Sequence, residues 1–292
     1  MATHLIIDSH NIICRCYHGI PLYYSTTNLP VNAIEGWINS ISAFQNRFPG
    51  SRLWCAFDGA RSERKHRLLD SYKSSREEKD VNLAIQIPLI RRITPFMGLT
   101  TFYDENEEAD DLIASLIHKL KLQYPGDLIF VATNDKDICQ CVDHQVYLLK
   151  PPVNSRVSKS WTVEGADYVQ TKFGIEPKHV VDYLCMVGDK SDTIPGISGV
   201  GPKTAAKLLN TYHTLEGIYA NMDAIRSAYP QLYLEFLAQK DAMFTRNRPL
   251  IQLDATLPIE LTPSPSKDIY NLSLYLKSFG MEHMAFSVEQ SF

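Results

Sequence analysis

The sequence has little excess charge of either sign. Its 29 Lys and Arg stand against 33 Asp and Glu, a net charge of −4, and that balance does not announce a nucleic-acid binder. Long apolar runs are missing too. None approaches the roughly 20 residues that a membrane-spanning helix needs, so no membrane partner is expected. The N-terminus, Met1-Ala-Thr-His-Leu-Ile-Ile-Asp8, has no basic segment followed by a long apolar stretch, so no signal peptide is expected. Cysteine is scarce, at positions 14, 16, 55, 139, 141 and 185. Without a secretory signal, reduced thiols are the default. Cys14/Cys16 and Cys139/Cys141 are two apart, which is not a usual zinc spacing and argues against a structural zinc site. The nine His residues are scattered.

What remains is an ordinary soluble composition in 292 residues, enough for one large domain or two modest ones and for a sizeable core. One stretch stands out: Gly188-Asp-Lys-Ser-Asp-Thr-Ile-Pro-Gly-Ile-Ser-Gly-Val-Gly-Pro-Lys-Thr204. Asp189 and Asp192 are three apart, so one helical turn could present both on one face. Gly199 and Gly201 permit a tight turn and a close backbone approach to a ligand. Pro202 suits the first turn of a helix, and a helix N-terminus offers free N–H groups to an anion. Lys203 adds a positive charge. The stretch reads as a helix-hairpin-helix phosphate clamp beside a carboxylate pair. The plainer alternative is a helix-turn-helix joint with a solvated Asp pair.

The charge is unevenly spread. Arg61 to Arg76 holds six cations, whereas acids gather at Asp104 to Asp111. A basic flank that attracts a phosphate backbone, beside an acidic pocket that holds cations, is what a metal-dependent nuclease needs. Along the chain, apolar strands are expected near residues 4–7, 52–57, 99–103, 127–132 and 145–149. Helical patterns alternate with them, including one over Leu83–Met97 interrupted by Pro88, and from Val163 onward the pattern is mostly helical. This alternation predicts an α/β fold with a mostly parallel sheet.

Three of the strands run at once, or within two residues, into Asp8, Asp58 and Asp135. In open parallel sheets ligands bind beyond the carboxyl ends of the strands, although any one such Asp taken alone reads as a helix N-cap. Glu108, Asp110 and Asp111 join them at a helix start. Glu108 and Asp111 share a face of that helix while Asp110 points away, so all three converge only if the helix begins there. With Asp137, Asp189 and Asp192 the collection is too large to share a pocket unpaired, since repulsion would protonate some members. Bound divalent cations are the remedy, and an all-oxygen donor set selects Mg²⁺ or Mn²⁺.

These residues fall into blocks: Leu5-Ile-Ile-Asp-Ser-His-Asn11, Ala56-Phe-Asp58, Tyr72-Lys-Ser-Ser-Arg76, Glu108-Ala-Asp-Asp111, Thr133-Asn-Asp-Lys-Asp137 and the 188–204 stretch. In kind and order they resemble the 5′ nuclease family, which includes the 5′ nuclease domain of bacterial DNA polymerase I, phage 5′ exonucleases and flap endonucleases. The resemblance covers roughly residues 4–250; the tail from about Ile251 matches nothing in it. It implies a central sheet flanked by helices, a helical arch over the active site and a helix-hairpin-helix element. The organisation expected is an α/β nuclease core over 1–160 with the arch at about 71–97, a helical region over 161–250 with the hairpin at about 188–210, and a tail over 251–292 packing on the core.

The resemblance also implies roles. Asp8, Asp58, Glu108 and Asp110 match the ligands of a first metal, with Asp111 beside them, and Asp135, Asp137, Asp189 and Asp192 match a second group. Tyr72, Lys73 and Arg76 match the base of the arch, where the family has a stacking aromatic and phosphate-directed cations. Arg15 and Tyr17 match positions near the substrate backbone, and Gly199, Gly201, Lys203 and Thr204 the duplex-binding hairpin. Two Mg²⁺ ions are implied, with Mn²⁺ as a substitute and K⁺ permitted at the hairpin. The expected substrate is DNA with 5′ ends, flaps, nicks or gaps, cut to 5′-phosphorylated products by a stand-alone monomer in the cytoplasm of a bacterial or phage-infected cell. The arch continues Glu77-Glu78-Lys79-Asp80, more acidic than strand threading calls for, and no clamp-binding tail is evident. Three other readings stand beside this one. A primer-removing nuclease on RNA–DNA hybrids is not separated by the residues. A non-catalytic DNA-binding scaffold would have little reason to keep the acids. A small single-strand ribonuclease domain would lack the second acidic pair and hairpin.

Overall fold

The structure, a computed structural model, describes residues 2–59, 62–75, 80–152 and 161–291. Its main sheet has six strands: β1 Thr3–Asp8, β2 Arg52–Phe57, β3 Thr100–Tyr103, β4 Leu128–Ala132, β5 Val146–Lys150 and β6 Thr162–Glu164. Their order is β3-β2-β1-β4-β5-β6. The first five run parallel, and β6 joins β5 antiparallel. The chain winds outward from β1 through β2 to β3, then returns to place β4 on the other flank of β1. Strand order therefore reverses at β1/β4, and a crevice opens beyond the carboxyl ends of these strands. Ile7 sits level with Cys55 of β2 and Ala132 of β4, so the residues that follow all three strands emerge at one edge.

The helices, in chain order, begin with α1 Ser9–Gly19, α2 Asn32–Arg47, α3 Glu63–Leu68, α4 Val81–Ile93, α5 Ala109–Gln123, α6 Ala166–Phe173 and α7 Val180–Val187. They continue with α8 Pro202–Tyr212, α9 Leu215–Ala220, α10 Met222–Ala228, α11 Pro230–Ala242, α12 Arg248–Ile251, α13 Ile269–Ser278 and α14 Glu282–Ser291. A parallel sheet covered on both faces needs strands apolar at nearly every position, and β1 supplies them. Leu5 and Ile7 pack with Ile12, Trp37, Ile90 and Leu272, under α1, α2, α4 and α13. Ile6 packs the other way, with Ile113 and Leu116 of α5, in a core that runs on into the helices after β6. Each fully buried Ile contributes about 1.5–3 kcal/mol.

One expectation changes. Pro88 lies inside α4 without ending it, because Ile90 and Ile93 beyond it are fully buried in the shared core and packing there outweighs the hydrogen bond that Pro cannot donate. The tail is a strap followed by a helical hairpin. Leu253 and Ile259 pack in the α5 core, whereas Leu276, Ala285 and Val288 pack in the α1/α2 core. Among the described residues no helix is long and apolar enough to cross a membrane.

Candidate active site

The strand ends deliver their acids as the register requires. Asp8 Oδ1 accepts the Asn11 N–H at 3.0 Å and caps α1, and Asp58 Oδ1 accepts the Ala109 N–H at 2.8 Å at the start of α5. Capping and site-building are therefore not alternatives, since capping engages one oxygen of each carboxylate. Beyond β4, Thr133 Oγ1 donates to Asp8 Oδ2 at 2.7 Å and accepts the Asp135 N–H at 2.9 Å, which ties this turn to β1. Asp135 Oδ1 in turn accepts the Asp137 N–H at 2.8 Å.

Helix α5 begins at Ala109, with Glu108 as its N-cap, and its first turn sorts the three acids by direction. Asp110 faces Asp8, Asp58, Asp135 and Asp137. Glu108 and Asp111 face Lys65 instead, whose Nζ lies 2.7 Å from Glu108 Oε2 and 2.8 Å from Asp111 Oδ2. Asp111, grouped with the ligands on sequence, thus stands apart from the carboxylates around Asp110. It is fully buried and also accepts the Asp254 N–H of the C-terminal strap at 2.8 Å.

A second group lies alongside. Asp137, Asp189 and Asp192 each offer a carboxylate oxygen within 4.8 Å of the others. Asp189 sits in a two-residue strand, β7 Gly188–Asp189, paired with β8 Ile194–Pro195. Gly188 has φ +79°, and a Cβ there would lie 2.5 Å from the Gly196 nitrogen, so only glycine lets this hairpin close. Asn247 fastens it from below, its side-chain amide donating to Pro195 O at 2.7 Å and Cys185 O at 3.0 Å.

Crowding and burial raise several of these acids. Burial pushes Asp8 up to about 7, with Asp58 and Asp135 adding to it against the Thr133 and Asn11 hydrogen bonds. Burial, then the charges of Asp135 and Asp189, take Asp137 up to about 8. Asp110 is held well above the usual carboxylate range by burial and then by its four acidic neighbours. The flanking acids go the other way. Burial opposes the charge of Glu108, but Lys65 and Lys73 overcome it and pull its pKa down to about 2. Burial likewise opposes Asp189, and Lys136 and Ser191 overcome it by hydrogen bonds, with Lys136 Nζ 2.6 Å away.

The arch-base residues join the two groups. The Tyr72 hydroxyl lies 3.1 Å from Glu108 Oε2 and 3.2 Å from Asp192 Oδ2. Burial, then those two charges, keep it protonated. Its ring is 2% exposed, so Tyr72 presents no open stacking face in this conformation. Lys73 Nζ lies 2.5 Å from Glu108 Oε1, and its φ of +56° is unusual for a residue with a Cβ. Arg61, Arg76 and residues 77–79 lie outside the described residues.

At the hairpin, Gly199 has φ +79° and Gly201 caps α8, whose first turn holds Pro202, exposed Lys203 and half-buried Thr204. Arg15 is exposed past the middle of the crevice helix α1, over the Trp161 ring with 5.9 Å to its centroid. Tyr17, half-buried on the same helix, hydrogen-bonds Asp80 and Asn82 beside α4.

The donor set fits hard divalent cations. Every converging ligand is a carboxylate oxygen, protons take up charge that cations would otherwise neutralise, and Asp137 Oδ1 is buried with no hydrogen-bond partner among the described residues. Three residues not singled out on sequence contribute: Lys65, Thr133 and Lys136. Thr133 and Lys136 lie inside a block that drew attention for its acids. Nothing in the basic run around Lys65 distinguishes a cation turned into the core from those left in solvent.

Residues 3–174 match the family model of the 5′-3′ exonuclease N-terminal resolvase-like domain, and residues 175–268 that of the 5′-3′ exonuclease C-terminal SAM fold. Over 274 residues the chain is 33% identical to DNA polymerase I of Caldicellulosiruptor bescii, covering 93% of this chain and 31% of that one. It is 29% identical over 296 residues to the 5′-3′ exonuclease of Aquifex aeolicus, covering 100% of this chain and 97% of the relative. The chain thus spans about a third of the polymerase and nearly all of the exonuclease. The structure of T5 5′-exonuclease with bound zinc superposes with a TM-score of 0.70 at 16% identity, over 99% of this chain and 98% of that one. At that identity the likeness bears on the fold.

Proposed function

This chain belongs to the 5′-3′ exonuclease family, and from that premise we propose that it hydrolyses DNA phosphodiesters at 5′ ends and 5′ flaps with two Mg²⁺ ions. The observation that carries the proposal is the trio Asp137, Asp189 and Asp192, oxygens within 4.8 Å, beside a second set of acids around Asp110. Asp8, Asp58 and Asp110 would hold one ion, with Glu108 kept beside them by Lys65 and Lys73, and Asp135, Asp137, Asp189 and Asp192 would hold the other. Bound there, the ions would supply a water of lowered pKa and positive charge for an in-line displacement at phosphorus.

The chain's own residues do the rest. The Gly199–Gly201 turn and the start of α8 hold the duplex backbone without reading sequence. Lys203 adds attraction for phosphate. Lys73 and Arg76 set positive charge against the phosphate oxygens as negative charge develops there. Tyr72, bridging Glu108 and Asp192, keeps the two acidic groups in register. Lys65 neutralises Asp111 and Glu108, so the acids at the start of α5 need not all be balanced by bound cations. Products carry 5′ phosphates, and the enzyme works as a monomer.

The test is a 5′-flapped duplex labelled at its 5′ end, incubated with Mg²⁺, with EDTA, and with Asp189→Asn/Asp192→Asn protein. A Mg²⁺-dependent product of flap length, lost in the variant, supports flap endonuclease action. Release of mono- or dinucleotides alone supports exonuclease action only. Binding with no cleavage under any of these conditions refutes the catalytic proposal.

A further inference from the structure

At the rim of the acidic site, α1 carries a different kind of ligand pair. His10 and Cys14 are four residues apart on one helix face, with Cys14 Sγ 3.4 Å from His10 Nε2. Both are half-buried, neither sealed in the core nor fully in solvent. A tetrahedral zinc ion with ordinary Zn–S and Zn–N bonds holds its sulfur and nitrogen ligands about 3.6 Å apart. The pair therefore stands close to ligating separation already. The other ring nitrogen points the same way: His10 Nδ1 lies 3.7 Å from Asp58 Oδ2. A metal-bound imidazole whose second nitrogen faces a carboxylate is the usual outer-shell arrangement of zinc sites.

We propose that His10 and Cys14 form a binding site for a thiophilic divalent cation of the Zn²⁺ class, distinct from the all-oxygen Mg²⁺ sites and inhibitory to them. Cys14 sulfur and His10 Nε2 are the protein ligands, water completes the coordination, and the thiol proton passes to solvent on binding. With Nε2 on the cation, Nδ1–H donates to Asp58. That hydrogen bond engages Asp58 Oδ2 while the Ala109 N–H holds Oδ1, so Asp58 is less available to a Mg²⁺ ion. The donor types give selectivity, since thiolate and imidazole favour Zn²⁺ whereas Mg²⁺ keeps to oxygen. The inhibitory consequence rests on the proposed nuclease reading; the site itself does not.

The experiment uses the full, reduced chain and Co²⁺ as a spectroscopic stand-in for Zn²⁺. Expected is a sulfur-to-cobalt charge-transfer band that Zn²⁺ displaces, lost in Cys14→Ser and weakened in His10→Ala. No band in the native chain, or an unchanged band in Cys14→Ser, overturns the site whether or not the protein cleaves DNA. At fixed Mg²⁺, half-inhibition of flap cleavage should then require about tenfold more Zn²⁺ in Cys14→Ser than in the native chain, the scale of outer-shell effects at metal sites. Equal sensitivity of the two proteins overturns the inhibitory role.

Discussion

Lys65 Nζ lies 2.8 Å from Asp111 Oδ2, and neither side chain exposes more than 2% of its surface. The same ammonium lies 2.7 Å from Glu108 Oε2, so one buried cation serves two acids of the first turn of α5. Lys65→Met leaves both carboxylates without it. Removing one partner of a buried pair costs about 3–5 kcal/mol, and urea denaturation should show a loss of that size. Lys65→Met/Asp111→Leu should recover most of it. A single variant within 1 kcal/mol of the native chain, about the value of an exposed pair, would mean that the pair adds nothing beyond a surface contact.

Asp8 and Asp137, raised to about 7 and about 8, bind protons more tightly folded than unfolded. The stability they lend is complete below the ordinary carboxylate range and is lost as pH rises through these values. His4 and His179, whose pKa values burial lowers, act oppositely, but their smaller effect fades as pH rises past the ordinary His value of 6.5. The metal-free protein should therefore melt at a lower temperature at pH 8 than at pH 6.5. Mg²⁺ should remove the difference by replacing protons with cations. Melting curves in EDTA and in Mg²⁺ measure this, and an upward slope in EDTA would contradict it.

Asp137→Asn should separate stability from function. At pH 8 it removes a carboxylate crowded by Asp135, Asp189 and Asp192, so the metal-free protein gains stability. It also removes a proposed ligand, so Mg²⁺ should stabilise the variant less and turnover should fall by about 10²-fold or more, the scale of a lost electrostatic partner. Calorimetric Mg²⁺ titration beside a cleavage assay reads both effects.

Lys73 combines a charge with a left-handed backbone, φ +56°. Lys73→Ala and Lys73→Gly both remove the charge and should both lose turnover. Glycine tolerates that φ, so Lys73→Gly should be about 1 kcal/mol more stable than Lys73→Ala. Equal stabilities would show that the conformation carries no strain.

Lys203→Ala should weaken duplex binding alike across sequences and lower the salt-dependence slope by about 1. Gly199→Ala should weaken binding for another reason. A Cβ there would lie 2.8 Å from Leu232 Cδ2 at a φ that disfavours alanine, so the turn shifts while the charge stays. Its salt slope should match that of the native chain.

The strand-end acids were legible because an apolar strand and the Asp that follows it are neighbours in the chain. Asp8, Asp58 and Asp135 needed only parallel pairing to meet. The Gly199–Pro202 helix start was legible for the same reason, each residue's preference being local. The 3.6-residue turn separated Asp110 from Glu108 and Asp111, but not which direction faced cations and which faced other carboxylates. That was decided by α3, which brings Lys65 across to α5, and by the strap, whose Asp254 N–H holds Asp111. Burial of Lys65, the Tyr72 bridge and the packing of α13 and α14 likewise join residues tens to hundreds of positions apart. Local pattern was enough to say which groups carry charge and where the five parallel strands and their acids lie, but not to find the edge strand β6 or the tail helices α13 and α14. Which charges neutralise one another was settled by how the folded segments pack, because that depends on distances that no local pattern encodes.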